Sequence, residues 1–365
     1  MTTRTYKENP NTMPVFDKNK GLEIGIYSLG EHISNPHTGA ILTAQERINQ
    51  IKEMAIMSEQ AGVDVFMLGE SHQEGFVSQA HAIILSAIAE ATKTIKISSG
   101  ATIVSTSDPV RIYENFATLD LLSNGRVEIV GGRASRIGLF KLLGYDLRNY
   151  EELFEEKFDL LLQINREEFV TWQGQFRAPL KNAHIIPRPL NNHLPIWRAV
   201  GGGQGSAIKA GSAGVPLNLA MLGGPATDFK NTINAYRASA RDAGFDETAL
   251  PIATGGLFYV AKDIDTAIKE FYLHVNNGSV KAIGQGYSEQ SFAHAKDSNS
   301  ALNIGEVNQI IEKILYQHEM FGNQRYIAEV DFGGLPFDKI KENIDVMGDK
   351  IIPAIKKYTA PKENK

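Results

Sequence analysis

The chain contains no cysteine. That absence removes disulfides, thiolate zinc sites, iron–sulfur clusters and cysteine nucleophiles together. No run of about 18 apolar residues occurs, so no membrane-spanning helix is expected. The polar opening MTTRTYKENPNTMPVFDKNK has no apolar signal core, which points to a cytoplasmic protein. Neither charge sign dominates: 37 basic against 42 acidic side chains give −5. That balance argues against a nucleic-acid or anionic-membrane surface. Nine histidines include no His-Glu-x-x-His or His-x-His spacing, so no metal is expected. No Gly-x-Ser-x-Gly elbow appears, and no Gly-x-Gly-x-x-Gly follows the first strand. What is there is ordinary globular composition, 42% apolar and 22% charged over 365 residues. That length suits two ordinary domains or one large α/β barrel.

Short apolar runs alternate with amphipathic ones. Leu22–Ser28 reads as the first strand. Val63–Leu68, Ile95–Ser99, Val127–Val130, Pro195–Val200, Val215–Ala220, Ile252–Val260 and Arg325–Phe332 read as the others. Val63–Leu68 is a short apolar run rather than an alternating one, as expected of a buried parallel strand. Thr43 three residues before Glu46 signals a helix start. Ile48, Ile51 and Ala55 make its stripe; Ile83, Ile84, Ala87, Ile88 and Ala91 make the next, and Phe116, Leu119 and Leu122 a third. Residues 166–194 read as an excursion, 1–20 as a loosely held leader, and 276–305 as a polar, glycine-rich lid insertion after strand 7. Consecutive strand–helix units without a dinucleotide fingerprint favour a (β/α)8 TIM barrel, residues 1–365 as one domain, over an open sheet. Chemistry is then expected at the carboxyl ends of the strands.

Four strand ends carry suitable groups. After strand 2, Glu70-Ser71-His72 offers a carboxylate and an imidazole for proton chemistry, or a backbone cap beside a solvated histidine. After strand 3, Ser98-Ser99-Gly100-Ala101-Thr102 places small residues where a flat ring would fit, or simply makes a tight strand exit. After strand 4, Gly131-Gly132-Arg133-Ala134-Ser135-Arg136 combines donors suited to an anion. The alternative is pairing of its arginines with the acidic stretch Glu151, Glu152, Glu155 and Glu156, the reading favoured for Arg136. After strand 5, Gly201-Gly202-Gly203-Gln204-Gly205-Ser206 opens a helix whose free N–H groups favour a phosphate. No lysine follows, so it is not a P-loop.

Taken together, SDPVR (Ser107–Arg111), FATLDLLSNGRVEIVGGRASRIG (Phe116–Gly138), LLGYDL (Leu142–Leu147) and IWRAVGGGQGS (Ile196–Ser206) resemble the bacterial luciferase-like family of flavin-dependent monooxygenases. The resemblance covers nearly the whole chain after the leader. It implies a barrel binding reduced FMN at its carboxyl end, a separate NAD(P)H–flavin reductase, and a homodimer. It places Ser99, Gly100 and Ala101 beside the isoalloxazine, with a non-proline cis peptide often found there. It assigns Arg133, with Ala134 and Ser135, and Gly202, Gly203, Gln204 and Ser206 to the flavin phosphate. The family commonly has Glu-His-His at the strand-2 end; here Ser71 replaces the first histidine. Proton chemistry is therefore expected from His72 with Glu70, or from His32 or His37. The expected reaction transfers one oxygen atom of O₂ to a small, largely apolar organic substrate, met by Met67, Leu68, Met221 and Leu222. The alternatives are a non-catalytic flavin-binding partner subunit, a deazaflavin hydride-transfer enzyme, and a metal-free lyase or hydrolase using Glu70 and Asp331.

Overall fold

The computed structural model describes residues 13–17, 19–134 and 137–361. Eight parallel strands form the frame: β1 (Glu23–Ser28), β2 (Val65–Leu68), β3 (Lys96–Ser99), β4 (Val127–Gly132), β5 (Ile196–Val200), β6 (Leu217–Ala220), β7 (Ile252–Val260) and β8 (Arg325–Glu329). Each pairs with the next, and β8 pairs in parallel with β1 in the register Glu23–Arg325. The sheet therefore closes, as the strand–helix rhythm predicts. Closure leaves no sheet edge exposed.

Helices α1 (Ala44–Gln60), α2 (His81–Ala91), α3 (Pro109–Ser123), α4 (Tyr150–Arg166), α5 (Gln204–Ser212), α6 (Lys230–Asp242), α7 (Ile264–Ile283), α8 (Val307–Phe321), α9 (Phe337–Val346) and α10 (Ile352–Thr359) surround it. The Thr43–Glu46 capping box forms at the start of α1. Asp108 caps α3 through the Val110 N–H, with Pro109 supplying a preset first turn. The stripe on α2 is rotated from expectation: Ile84, Leu85, Ile88 and Ala89 are buried, whereas Ile83 is 73% exposed. Ala87 and Ala91 are exposed as well, as are Ile48 and Leu122. The helix is apolar almost all round, so periodicity alone did not choose its inward face.

Two boundaries differ from the sequence reading. Residues 1–12 lie outside the described ones, but Phe16 of the leader covers the amino-terminal mouth, 6.2 Å from Trp197. The insertion after β7 begins later, because residues 276–283 are the last turns of α7. Asn303–Gly305 then forms a short strand parallel to β7. Phe292, fully buried, packs on Phe271, Tyr272 and Tyr287. Lys313 of α8 donates to the carbonyls of Ala295, Leu302 and Ile304. The excursion contains an antiparallel hairpin, Phe169–Trp172 with Leu180–His184.

The barrel is filled in two different ways. Midway, Met67, Val130, Trp197, Ala253 and Ile327 pack together. At the amino-terminal mouth a charged cluster replaces them: Arg325 binds Glu23 (2.8 Å) and Glu128 (2.6 Å), and Lys96 binds Glu23 (2.5 Å). The Trp197 indole N–H donates to Glu128 at 2.9 Å. Burial alone would raise the Glu128 carboxyl, but Arg325, Lys96 and Trp197 hold it below its ordinary value. One end of the barrel is thus closed by paired charge, and the other is free for a ligand. No helix among the described residues is long and apolar enough to cross a membrane.

Candidate active site

At the carboxyl end of the strands lies a cavity of about 400 Å³. Its walls include Glu70, Ser71 and His72 after β2, Gly100 and Ala101 after β3, Arg133 after β4, and Gly201 after β5. The rest is mainly apolar, with Leu29, Ile103, Leu139, Leu222 and Phe332 prominent. Five of the residues expected to have a catalytic or cofactor role therefore face one space: Glu70, His72, Gly100, Ala101 and Arg133. They meet because parallel strands of similar length deliver their carboxyl ends to one rim.

Glu70 caps a backbone and also contacts His72. One carboxylate oxygen accepts the Ile103 N–H at 2.7 Å, fixing the chain where it leaves β3. The other lies 2.7 Å from His72 Nε2. The side chain is 6% exposed and that of His72 16%. Glu70 thus anchors an imidazole that lines the cavity. His81, at the start of α2, stands behind it: Nδ1 is 3.7 Å from Glu70 and Nε2 2.8 Å from Thr102 Oγ1. Burial drives His81 below its ordinary value, against the opposing pull of Glu70. The sequence reading missed His81, which is a lone histidine in an apolar helix and carries no motif. His32 bonds the Leu42 carbonyl, and His37 faces the His274 ring at 5.2 Å; neither lines the cavity.

The small residues after β3 have individual reasons. The Gly100–Ala101 peptide is cis. A Cβ on Gly100 would lie 2.2 Å from the Met67 side chain, and one on Gly132 would lie 2.7 Å from the Ala101 Cβ. A side chain at either position would force its neighbour, Met67 or Ala101, to shift. Ser99 points elsewhere: its hydroxyl accepts the Val130 N–H at 3.0 Å and ties β3 to β4. Two polar groups among the cavity-lining residues have no partner among the described residues, Ser71 Oγ and Asn218 Nδ2. Buried polar atoms are normally paired, so both are suited to a polar ligand edge.

The two anion-suited loops are engaged with α4. Arg133 forms an ion pair with Glu151 and lies over the Tyr150 ring, 5.7 Å from its centre. Arg198, within β5 and not singled out from the sequence, binds Glu155 through two nitrogens at 2.9 and 2.6 Å and Ser206 Oγ at 3.0 Å. Lys209 joins the same carboxylate at 2.8 Å. Gly203 precedes helix α5 as an N-cap without a side-chain hydrogen bond, and no heavy atom lies within 4 Å of a Cβ placed on Gly201, Gly203 or Gly205. Its first-turn N–H groups are therefore open to an anion. Gly202, Gly203, Gln204 and Ser206 are not cavity walls; Gly201, just before them, is. Ala134 is buried and its carbonyl accepts from the Tyr150 hydroxyl, while Ser135 and Arg136 lie outside the described residues.

Other expected residues have structural partners. Asp331 accepts from the Ser28 hydroxyl at 2.6 Å and pairs with Arg47, which removes it from a free two-carboxylate site with Glu70. Met67 and Leu222 line the cavity, whereas Leu68 and Met221 belong to the packed core. No residue of the insertion lines the cavity; it borders a separate cleft of about 470 Å³ with Gly224 and Pro225. Among the described residues no group of three or more His, Asp or Glu is placed to hold a metal.

Residues 22–329 match the family described as luciferase-like monooxygenase. An uncharacterized protein of Sinorhizobium fredii, y4vJ, is 22% identical over 84% of this chain and 91% of its own length. A luciferase-like monooxygenase of Escherichia coli is 27% identical over 54% of this chain, which spans about half of that relative (56%). Among solved structures, monooxygenase RslO1 from Streptomyces bottropensis superposes with a TM-score of 0.79 at 21% identity, covering 91% of this chain and 99% of its own. The oxygenating constituent of 3,6-diketocamphane monooxygenase from Pseudomonas putida, in complex with FMN, gives 0.72 at 16% identity over 91% and 98%. An F420-dependent secondary alcohol dehydrogenase gives 0.70 at 19% identity over 92% and 99%. The motif-bearing strand ends, the closed barrel and the match over residues 22–329 agree: the chain belongs to the luciferase-like monooxygenase family.

Proposed function

We propose that this protein is an FMN-dependent monooxygenase that uses reduced FMN and O₂ to oxygenate a small, largely apolar organic substrate. The observation carrying the proposal is the single cavity shared by Arg133, the Gly100–Ala101 edge and the Glu70–His72 pair. When bound, the reduced flavin supplies the electrons and activates the oxygen. This chain's residues supply the rest. Arg133 and the open N–H groups at the start of α5 hold the phosphate. The Gly100–Ala101 edge, Ser71 Oγ and Asn218 Nδ2 meet the ring system. His72, oriented by Glu70, holds or moves a proton at Nδ1, the nitrogen not engaged by the carboxylate. Leu29, Ile103, Leu139, Leu222 and Phe332 exclude water and receive the apolar substrate.

The diketocamphane enzyme, with its bound FMN, supports this cofactor. A deazaflavin hydride-transfer reading draws support from the F420-dependent dehydrogenase. Titration with FMN, reduced FMN and deazaflavin separates them. Reaction of the reduced-flavin complex with O₂ and candidate substrates, with NADH and a separate flavin reductase present, then tests oxygenation. A bound flavin whose reoxidation the protein does not alter identifies a non-catalytic subunit instead, the reading that Ser71 motivates. Replacing Arg133 with Ala is expected to weaken FMN binding by roughly 1–3 kcal/mol; unchanged affinity refutes the phosphate assignment. A homodimer in the cytoplasm completes the proposal, and sedimentation measures the assembly.

A further inference from the structure

We infer that Glu151 is a built-in competitor for the anionic end of the cofactor, occupying the Arg133 guanidinium and so weakening retention of phosphorylated flavin. This rests on the reading above, in which Arg133 receives the phosphate. Arg133, just after β4, and Arg198, within β5, meet carboxylates one helical turn apart on α4, Glu151 and Glu155, but the two pairs differ. Arg198 is 4% exposed and locked by two contacts to Glu155 plus one to Ser206. It does not line the cavity. Arg133 does line it, has 23% of its side chain exposed, and pairs with a Glu151 that is 51% exposed. The inner pair is architecture; the outer one is exchangeable.

An incoming phosphate monoester carries about −1.5 to −2 charge at neutral pH. It must displace the Glu151 carboxylate from Arg133 or share the guanidinium with it. At a separation of ~5 Å in a largely aqueous dielectric, such like charges repel enough to cost roughly three- to tenfold in affinity at low ionic strength. The opposite role, in which Glu151 merely orients Arg133 for the phosphate, predicts weaker binding once the carboxylate is gone. The competitor role suits a flavin that is delivered reduced and leaves oxidised, because a phosphate held less firmly exchanges faster.

The experiment compares FMN with riboflavin, which lacks the phosphate, by calorimetric titration at low and high salt. The proteins are wild type, Glu151→Gln and Glu152→Gln. The last removes the same charge one residue away, from a position that pairs with no arginine among the described residues. Expected for Glu151→Gln is a three- to tenfold tighter grip on FMN at low salt, an unchanged grip on riboflavin, and a gain that shrinks as salt rises. The Glu152→Gln protein should gain less than half of that factor. Wild type preferring FMN, with Glu151→Gln equal or weaker, overturns the competitor while leaving the phosphate site standing. Wild type binding FMN and riboflavin equally overturns the phosphate site as well. Equal gains in both variants reduce the effect to overall charge and also overturn the inference.

Discussion

Replacing Glu70 with Ala separates its two roles. The side chain gives one oxygen to the buried Ile103 N–H at 2.7 Å and the other to His72 at 2.7 Å. Truncation strands that N–H, worth about 1–3 kcal/mol, and removes a hydrogen bond to an ionised group, worth about 1.5–3 kcal/mol. Some solvent replacement from the adjoining cavity offsets this, so a total loss of roughly 2–4 kcal/mol is expected. The Gln variant keeps an acceptor for Ile103 and should lose only about half as much. Urea denaturation monitored by circular dichroism gives the stability. Flavin titration and turnover of the same proteins give the function. In the Gln variant, FMN affinity should hold within a few-fold while kcat falls, because His72 loses its anionic orienter but the phosphate corner is untouched. Stability of Glu70→Ala within about 0.5 kcal/mol of wild type, or equal kcat in the Gln variant, refutes the reasoning.

Arg325→Met should destabilise the barrel by about 3–5 kcal/mol, since Glu23 and Glu128 are left buried beside a single Lys96; denaturant midpoints measure it. Adding Glu128→Gln should recover part of that loss, and strict additivity of the two counts against the pairing. His81 and His274 are both held below their ordinary value, first of all by burial. In each case the unfolded chain binds the proton more readily, so stability is full above about pH 6.5 and falls as pH drops below it, by at most about 1.4 kcal/mol per pH unit for each residue. Melting curves from pH 7.5 to 5 should show that slope flattened in His274→Gln. Phe292→Ala removes the aromatic side chain that anchors the insertion on α7 and should cost about 3–5 kcal/mol. Hydrogen exchange across residues 285–302 should quicken while FMN affinity stays constant, because no insertion residue lines the cavity.

The strand ends were legible because their reasons are local. A carboxylate two residues from a histidine, glycines in series, and an arginine after a glycine pair are all visible within six residues. At Glu70 and Arg133 the structural alternatives are present at the cavity wall: Glu70 caps a backbone N–H and contacts His72, and Arg133 lines the cavity while paired with Glu151. Ser99 and Ser206 fitted the motif equally well, yet their hydroxyls serve Val130 and Arg198. That use depends on neighbouring strands and could not be seen from either segment alone.

By itself the sequence determined the barrel and the rim to which its glycine, arginine and carboxylate turns belong, because strand–helix alternation and turn signals each act over a few residues. Tertiary structure alone decided where the charges go. Glu23, Lys96, Glu128 and Arg325 come from four separate strands, and only closure of the cylinder brings them within bonding distance. The same closure turned α4 toward both arginines and placed His81 behind Glu70. Coulomb forces and hydrogen bonds depend on separation in space, and for these groups the fold sets that separation.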